Sequence, residues 1–396
     1  MKKYIAIAVF ALWFCQASAA EATGLFPELS LSLSEEYNNN IFLSHADKKS
    51  DFVTYVNPAV ALALRPANSE LRLGYSPSFN IYKSHDELNN TSHSAFIRGS
   101  FTLSDKMSVT IGDTFVRSEE VRDLASVASL GPIRARVKST VNDLSGSMSY
   151  RLKPNLVYRL GGSYSDVSFS ESGFRENKTY GGSTGLTYIK SERSTFTLDA
   201  RYTLFDYKSG NDAQSQNYLL GVVYRVTPTL TVGLNGGAVI TEIEGAETQE
   251  TVFAGGVNIT KTLERGSLTL SFTQDVVSGF EEGNPQTSQA VTLNLTRPLS
   301  PLWTLSLAPS YSKFKAVKNS DIDTEVINVS SSLAYNFRSW GSLVFAYNFM
   351  KFNDTKDSSR DYDDHRVTLT FRLHYERKQP EQQQEPLPPP APAPSR

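Results

Sequence analysis

Apolar and polar side chains alternate from residue 366 to residue 376. The apolar ones occupy every second position, namely Val367, Leu369, Phe371, Leu373 and Tyr375. Successive side chains of a strand point to opposite faces, so the pattern predicts a strand with one apolar and one polar face. About ten residues is the length of a tilted strand that crosses a bilayer. An aromatic residue at the end of the apolar face is typical of the boundary between hydrocarbon and headgroups. We interpret this segment as the closing strand of a transmembrane β-barrel.

The same alternation recurs along the chain and predicts about eighteen strands, with sixteen as the alternative count. Examples are 69–82, 107–118, 136–152 and 247–263. Short gaps that carry turn residues, such as Lys153-Pro154-Asn155, alternate with longer polar loops, such as 119–135. Short turns on one side and long loops on the other are typical of bacterial outer-membrane barrels. The predicted fold is all-β, a transmembrane antiparallel up-and-down barrel, and an even strand number places both termini in the periplasm.

The two ends of the chain differ in composition from the predicted barrel, which we assign to 21–378. Residues 1–20 combine two lysines, a short apolar run and a small-residue cleavage site, as in a secretory signal peptide. The apolar run is too short for a membrane helix. Residues 379–396 are rich in proline and glutamine and predict a disordered periplasmic tail. A tether to peptidoglycan or to a periplasmic partner is the functional hypothesis for this tail.

The composition is consistent with a barrel whose apolar side chains point outward and whose polar ones point inward. Only 39% of the residues are hydrophobic, which fits a protein that turns apolar side chains outward, polar ones inward, and has no central apolar core. The net charge of −2 gives no support for nucleic-acid binding. The one cysteine, Cys15, lies in the predicted signal peptide, so we expect no disulfide and no cysteine metal site in the mature chain.

Residues 33–62 carry a family resemblance. The motif runs from Glu35-Glu36-Tyr37-Asn38-Asn39-Asn40-Ile41 to Asp51-Phe52-Val53-Thr54 and Asn57-Pro58. It resembles the opening of the β-barrel porin 2 family of Gram-negative outer-membrane proteins, although Asn39 and Ala59 depart from the family's Asp and Gly. The resemblance covers the first two strands and implies an outer-membrane barrel, with some relatives associated with exopolysaccharide production. It implies no catalytic residues.

The polar faces of the predicted strands supply candidates for the lining of the lumen. Taking the face opposite the apolar residues selects seven arginines and three aspartates. They are Arg72, Arg98, Arg151, Arg159, Arg201, Arg225, Arg372, Asp143, Asp199 and Asp275. Charged rings in a pore set ion preference, so the excess of arginine predicts a weak preference for anions. The alternative is that these side chains pair across the wall and keep the lumen hydrated.

Other polar residues give weaker signals. Asp113 falls on the apolar side of its strand, so either a bulge turns it inward or the predicted register is wrong. Asp363-Asp364-His365 is the one tight acid–histidine cluster, and no histidines have metal-ligand spacing. We therefore expect no enzyme activity, no cofactor and no metal site; a solvated loop is the favoured interpretation of the acidic run 354–364.

The predicted function is a porin-like outer-membrane channel for small hydrophilic solutes or glycans. A structural or partner-binding barrel, plugged by 119–135 and associated with exopolysaccharide export, is the alternative. The expected partners are outer-membrane lipid and lipopolysaccharide, the barrel-assembly machinery during biogenesis, and a polysaccharide-export or peptidoglycan partner; no nucleic acid is expected.

Overall fold

The computed structural model describes residues 25–66, 68–120, 136–170, 174–246, 249–279, 284–317 and 323–376. The predicted signal peptide 1–20, the predicted tail 379–396 and most of the predicted loop 119–135 lie outside these residues. In the described part, no helix is long and apolar enough to span a membrane.

The described residues form eighteen strands and two short 3-10 turns. The strands are β1 Leu25–Asn38, β2 Asp51–Leu64, β3 Ser69–Tyr82, β4 Asn90–Ser104, β5 Met107–Ser118, β6 Ser139–Lys153, β7 Leu156–Phe169, β8 Asn177–Ile189, β9 Ser194–Tyr207, β10 Ala213–Thr227, β11 Leu230–Ile243, β12 Glu250–Thr262, β13 Ser267–Val277, β14 Gln286–Pro298, β15 Trp303–Ala316, β16 Asp323–Arg338, β17 Gly341–Asp354 and β18 Tyr362–Glu376. The 3-10 turns are Asp86–Leu88 and Ser358–Arg360.

The sheet closes on itself as an antiparallel barrel. Each strand pairs with its neighbours in chain order, and β1 also pairs with β18, with Leu31 opposite Leu373. Closure removes the two outer edges of the sheet, as a sheet in hydrocarbon requires. The ladder between β12 and β13 is shorter than the strands and ends at Gly255 and Gln274. The fold class predicted from the alternation is thereby confirmed, with eighteen strands in the described residues rather than sixteen.

The barrel has two unlike ends. Connections of two to four residues, such as 105–106, 154–155 and 190–193, define the turn end. The longer connections, such as 39–50, 83–89 and 355–361, define the loop end. Leu25 and Glu376, where the described barrel starts and stops, both lie at the turn end.

Two glycines show how tightly the backbone is packed. Gly266 closes the turn between β12 and β13 with a φ of +104°, and a Cβ there would lie 2.0 Å from the carbonyl oxygen of Thr296. A Cβ at Gly237 would lie 1.7 Å from the carbonyl oxygen of Tyr218. Glycine removes both conflicts because it has no Cβ. Gly237 thereby lets β11 approach β10 closely.

An apolar outer surface surrounds the barrel. Leu295, Leu307 and Ser331 are cross-strand neighbours on it, and the exposed residues Leu343, Phe345 and Phe371 continue it. Aromatic rings gather where it meets the turn end: the rings of Trp303 and Tyr335 lie 4.8 Å apart. An apolar band with aromatic girdles is the surface that a bilayer accommodates.

Asp113 lies on this outer surface. Its register is regular, with Ile97 opposite it on β4 and Leu144 opposite it on β6. The bulge considered from the sequence does not form there, and the predicted register of β5 is correct. Asn142 Nδ2 donates to Asp113 Oδ1 at 3.0 Å. The carboxylate therefore faces outward from the middle of β5, between Ile111 and Phe115.

Candidate functional site: the charged lumen

Contacts between strands that are not neighbours identify the inner face of the barrel. Arg201 on β9 lies 3.7 Å from Asp275 on β13, measured from Nη1 to Oδ2. Asn217 on β10 donates to the same aspartate at 3.0 Å. Side chains on the convex face of a curved sheet diverge, whereas those on the concave face converge. Such contacts therefore form only across the lumen.

All ten sequence-predicted lumen residues lie on the face that carries these contacts, as the strand registers show. Three arginines form ion pairs with acids on non-neighbouring strands. Arg72 pairs with Glu28, Arg159 Nη2 lies 2.7 Å from Asp199 Oδ1, and Arg201 pairs with Asp275. The hydroxyl of Ser165 donates to Asp143.

The other four arginines have different surroundings. The guanidinium of Arg98 lies 4.9 Å from the centre of the Phe96 ring, which Arg72 also approaches at 5.6 Å. Arg151 donates to the carbonyl oxygen of Asp105 in a turn at 3.3 Å. Arg225 and Arg372 are exposed. Among the described residues, neither Arg98 nor Arg372 has a carboxylate within ion-pair distance.

Several inward acids are not among the residues predicted from the sequence. Glu28 and Glu36 on β1 and Asp364 on β18 lie on the inner face and are buried. Glu36 accepts hydrogen bonds from Tyr55 at 3.1 Å and Thr368 at 3.1 Å. The alternation of inward and outward positions along β1 and β18 is enough to place all three acids on the inner face. The excess of arginine over acid in the lumen is thus smaller than predicted.

Charge is distributed unevenly along the barrel axis. The acids Glu36, Glu120 and Asp364 and the cations Arg136 and Arg366 line one small cavity near the loop end. Arg366 Nε lies 2.8 Å from Asp364 Oδ2, and both side chains are largely buried. The arginines that outnumber their acids, including Arg98 and Arg372, lie further toward the turn end. Any preference for anions must therefore arise in the half of the lumen nearer the turn end, which we call the lower lumen.

The inner face is closely packed beneath the loops. In the described residues, four apolar clusters occupy this region, each formed by inward residues of neighbouring strands near their loop ends. In one of them, the rings of Phe352 and Tyr362 stack at 5.3 Å and Leu43 of the first loop packs against them. The expectation that the barrel buries no apolar core is wrong at this end, because the loops turn inward and cover inward apolar side chains.

Both described ends of the connection between β5 and β6 are anchored inside the barrel. The carboxylate of Glu120 accepts from the Tyr82 hydroxyl at 3.0 Å and from Asn90 Nδ2 at 2.9 Å. Arg136 Nη2 donates to Glu120 at 2.7 Å and to the carbonyl oxygen of Leu88 at 3.0 Å. Glu120 and Arg136 therefore occupy part of the interior at the loop end, where both side chains are largely buried.

The acid–histidine cluster of β18 is divided between the two faces of the barrel. Asp363 and His365 face outward, 3.5 Å apart, and the ring nitrogen Nδ1 of His365 lies 2.9 Å from the Tyr347 hydroxyl. Asp364 faces inward, away from both. Strand alternation therefore separates the three groups. In the described residues, no cluster of acids, histidines or cysteines has the arrangement of a metal site.

Comparison with solved structures shows the class of fold. The chain is similar to a BenF-like porin from Pseudomonas fluorescens Pf-5, with a TM-score of 0.50 at 11% identity over 89% of this chain and 99% of that one. OccAB3 of Acinetobacter baumannii gives the same values. The chain therefore has the barrel fold of outer-membrane porins. No protein-family model and no curated protein sequence matches it, so the resemblance of 33–62 to the porin 2 family stays a prediction, while the fold that it implies is confirmed.

Proposed function

We propose that the chain is an outer-membrane channel for small hydrophilic solutes or glycans. The observation that supports it is a closed barrel whose lower lumen is charged and solvated. The Arg201 side chain is 59% exposed and that of Asp199 is 41% exposed, although both lie on the inner face. A barrel of this strand number encloses an aqueous passage when its interior is not filled.

The proposed orientation follows from the two ends of the barrel. Outer-membrane barrels have short turns in the periplasm and longer loops outside. The loop end would then face the exterior, and both termini the periplasm. The apolar belt would contact outer-membrane lipid and lipopolysaccharide, and the barrel-assembly machinery would insert the chain. The tail 379–396 would be free to reach peptidoglycan or a polysaccharide-export partner.

Ion selectivity in planar bilayers tests the channel. Purified protein in a salt gradient should conduct with a reversal potential that weakly favours anions. Replacing Arg159 and Arg201 by serine leaves Asp199 and Asp275 without their cations, so the reversal potential should move toward cations. Arg297→Ser is the control, because Arg297 lies opposite Leu305 on the outer face. An equal shift in the control would show that the lumen arginines do not set the preference.

A plugged barrel with a structural or partner-binding role in exopolysaccharide export is the second candidate. The packing beneath the loops and the anchoring of Glu120 and Arg136 favour it. A plugged barrel would show no conductance in the same bilayers, whereas Glu120→Gln combined with Tyr82→Phe would open it by releasing the anchor. Steady conductance of the unmodified protein would exclude the plug.

A further inference from the structure

We propose that the barrel wall has a lateral opening between β12 and β13, through which single-chain amphiphiles pass between the lumen and the membrane. The structural basis is that these two strands pair along their lower parts and separate toward the loop end. This route is separate from the passage of hydrophilic solutes along the barrel axis. It requires the barrel fold and its insertion in a membrane, but not the conduction of salt.

The strands separate where their ladder ends, at Gly255 opposite Gln274. Above this point, residues 250–254 of β12 pair only with β11, and residues 275–277 of β13 pair only with β14. We call these two facing edges the seam. At its base the side chain of Gln274 replaces a ladder bond, since Gln274 Nε2 donates to the carbonyl oxygen of Phe253 at 2.9 Å. The seam is therefore a wedge that is held together at its lower end.

The upper part of β13 leaves the wall and bends into the lumen. Asn217 on β10 donates to Asp275 at 3.0 Å, and the hydroxyl of Tyr207 on β9 lies 2.9 Å from that of Ser278, directly after β13. In a regular sheet, β10 and β13 would lie roughly 14 Å apart, three strand spacings. Asparagine and aspartate side chains joined by a hydrogen bond do not span that distance. These contacts therefore hold the top of β13 inward, away from the edge of β12.

The seam separates the lumen from the membrane. On its inner side, the Asp275 side chain is 41% exposed. On its outer side, Phe253 is 56% exposed. The ladder below the seam extends from Gly255 to Thr262 on β12, which is roughly 18 Å of height for a tilted strand. The apolar band of such barrels is about 25 Å tall. The seam therefore begins inside the membrane, in the leaflet nearer the loop end.

The two edges of the seam are apolar. They carry Val252, Phe253 and Ala254 on β12, and Val276 and Val277 on β13. Unpaired backbone at membrane depth is tolerated only where it is buried in protein or lines a cavity. Apolar side chains beside such backbone favour an alkyl chain as the occupant of the seam.

The class of solute follows from the two sides of the seam together. The alkyl chain of an amphiphile would lie between the apolar edges. Its polar head would remain among hydrated side chains of the lumen, where Asp275 lies 3.7 Å from Arg201, whose side chain is 59% exposed. Because the bridge from Gln274 keeps the base of the wedge closed, one chain fits the seam better than two chains side by side. A single-chain amphiphile meets both requirements.

Maleimides that are confined to a bilayer test the opening. Thr273 and Ser145 are both exposed on the inner face, Thr273 just below the seam on β13 and Ser145 on β6. In proteoliposomes that contain N-hexadecylmaleimide, Thr273→Cys should be labelled about tenfold faster than Ser145→Cys or more, because a paired wall excludes the alkyl chain elsewhere. Both rates are divided by those of a small water-soluble maleimide, which corrects for thiol reactivity. A two-chain phosphatidylethanolamine with a maleimide on its head group should label neither.

A disulfide across the seam supplies the second arm. Val252 and Val277 are the inward residues that a continued ladder would bring opposite each other. Val252→Cys with Val277→Cys, oxidised before labelling, should lower the labelling of Thr273→Cys to the rate of Ser145→Cys. The matched control is Thr260→Cys with Thr269→Cys, whose hydroxyl groups lie 3.3 Å apart within the ladder of the same strands. Oxidation of that pair should leave the labelling of Thr273→Cys unchanged.

The outcomes separate the lateral opening from the axial channel. Equal corrected labelling of Thr273→Cys and Ser145→Cys would overturn the lateral opening, whether or not the protein conducts salt. Labelling of Thr273→Cys by the two-chain maleimide at the rate of N-hexadecylmaleimide would overturn the restriction to single chains. Preferential labelling of Thr273→Cys in a protein that does not conduct salt would overturn the axial channel and leave the lateral opening standing.

Discussion

At the scale of single residues, Leu307 and Ser306 are neighbours in β15 but lie on opposite surfaces of the barrel. Leu307 is flanked by Leu295 and Ser331 on the outer face, and Ser306 by Thr296 and Ser332 on the inner face. We predict that Leu307→Arg costs about 2–4 kcal/mol of the free energy of unfolding, because it places a charge in hydrocarbon. Ser306→Arg should be close to neutral in the hydrated lumen. Urea titrations in lipid vesicles measure both, and equal tolerance would contradict the two-faced register of β15.

Asp113 presents the opposite case, since it already places a carboxylate on the outer face. The carboxylate shares a shallow outer groove with apolar side chains that include Tyr75, Ala95 and Phe115. We predict that Asp113→Leu stabilises the barrel in vesicles by up to about 2 kcal/mol, because an outward acid in the bilayer is unfavourable. Asp143→Leu, on the inner face of β6, is the control and should destabilise it, because it removes the acceptor of Ser165. A large loss of stability for Asp113→Leu would mean that the hydrogen bond from Asn142 outweighs the cost of placing this carboxylate within the membrane.

At the scale of strands, the pairing of β1 with β18 is what makes the sheet a closed barrel. The hydroxyl oxygens of Ser34 and Thr370 lie 2.9 Å apart on buried positions of these strands. Cysteines at both positions should form a disulfide in the folded protein, because directly opposed side chains meet the required Cβ separation. Gel migration with and without reductant measures it. The pair Ser34→Cys with Thr368→Cys is two residues out of register and should stay reduced; efficient crosslinking of that pair instead would show that the strands slip.

The sequence predicted the strands better than their tertiary contacts. The bounds of β3 and β5 match the predicted segments 69–82 and 107–118, because alternation directly encodes which face of a strand is apolar. β6 starts at Ser139 rather than at 136, since Arg136 turns into the lumen. The pairing of Arg201 with Asp275 was not predictable, because alternation gives the face of a residue but not the curvature that brings β9 toward β13. Burial of Glu120 beneath the loops was missed for the same reason.

At the scale of the whole molecule, the barrel has two functional zones along its axis. The loop half is closely packed, with acids and arginines that largely compensate one another. The lower half is solvated, with arginines whose charge is only partly compensated. The lumen would therefore select solutes by charge in its lower half and by size in its loop half. We predict that the Arg98→Ser and Arg372→Ser double variant changes the reversal potential while single-channel conductance changes little. A large fall in conductance would place the narrowest part of the path in the lower half instead.

The orientation of the barrel provides the last test, and it applies to every strand at once. Ser359 lies in the loop between β17 and β18, and Ser191 in the turn between β8 and β9; both are exposed. If the loop end faces the exterior, Ser359→Cys should react with an impermeant maleimide on intact cells. Ser191→Cys should react only after the outer membrane is breached, and so should Ser395→Cys in the predicted periplasmic tail. The background is low because Cys15, in the predicted signal peptide, is the sole cysteine of the sequence. Labelling of Ser191→Cys but not Ser359→Cys on intact cells would show that the barrel is inserted the other way round. The lower lumen, with its uncompensated arginines, would then be the first part of the path that an entering solute meets.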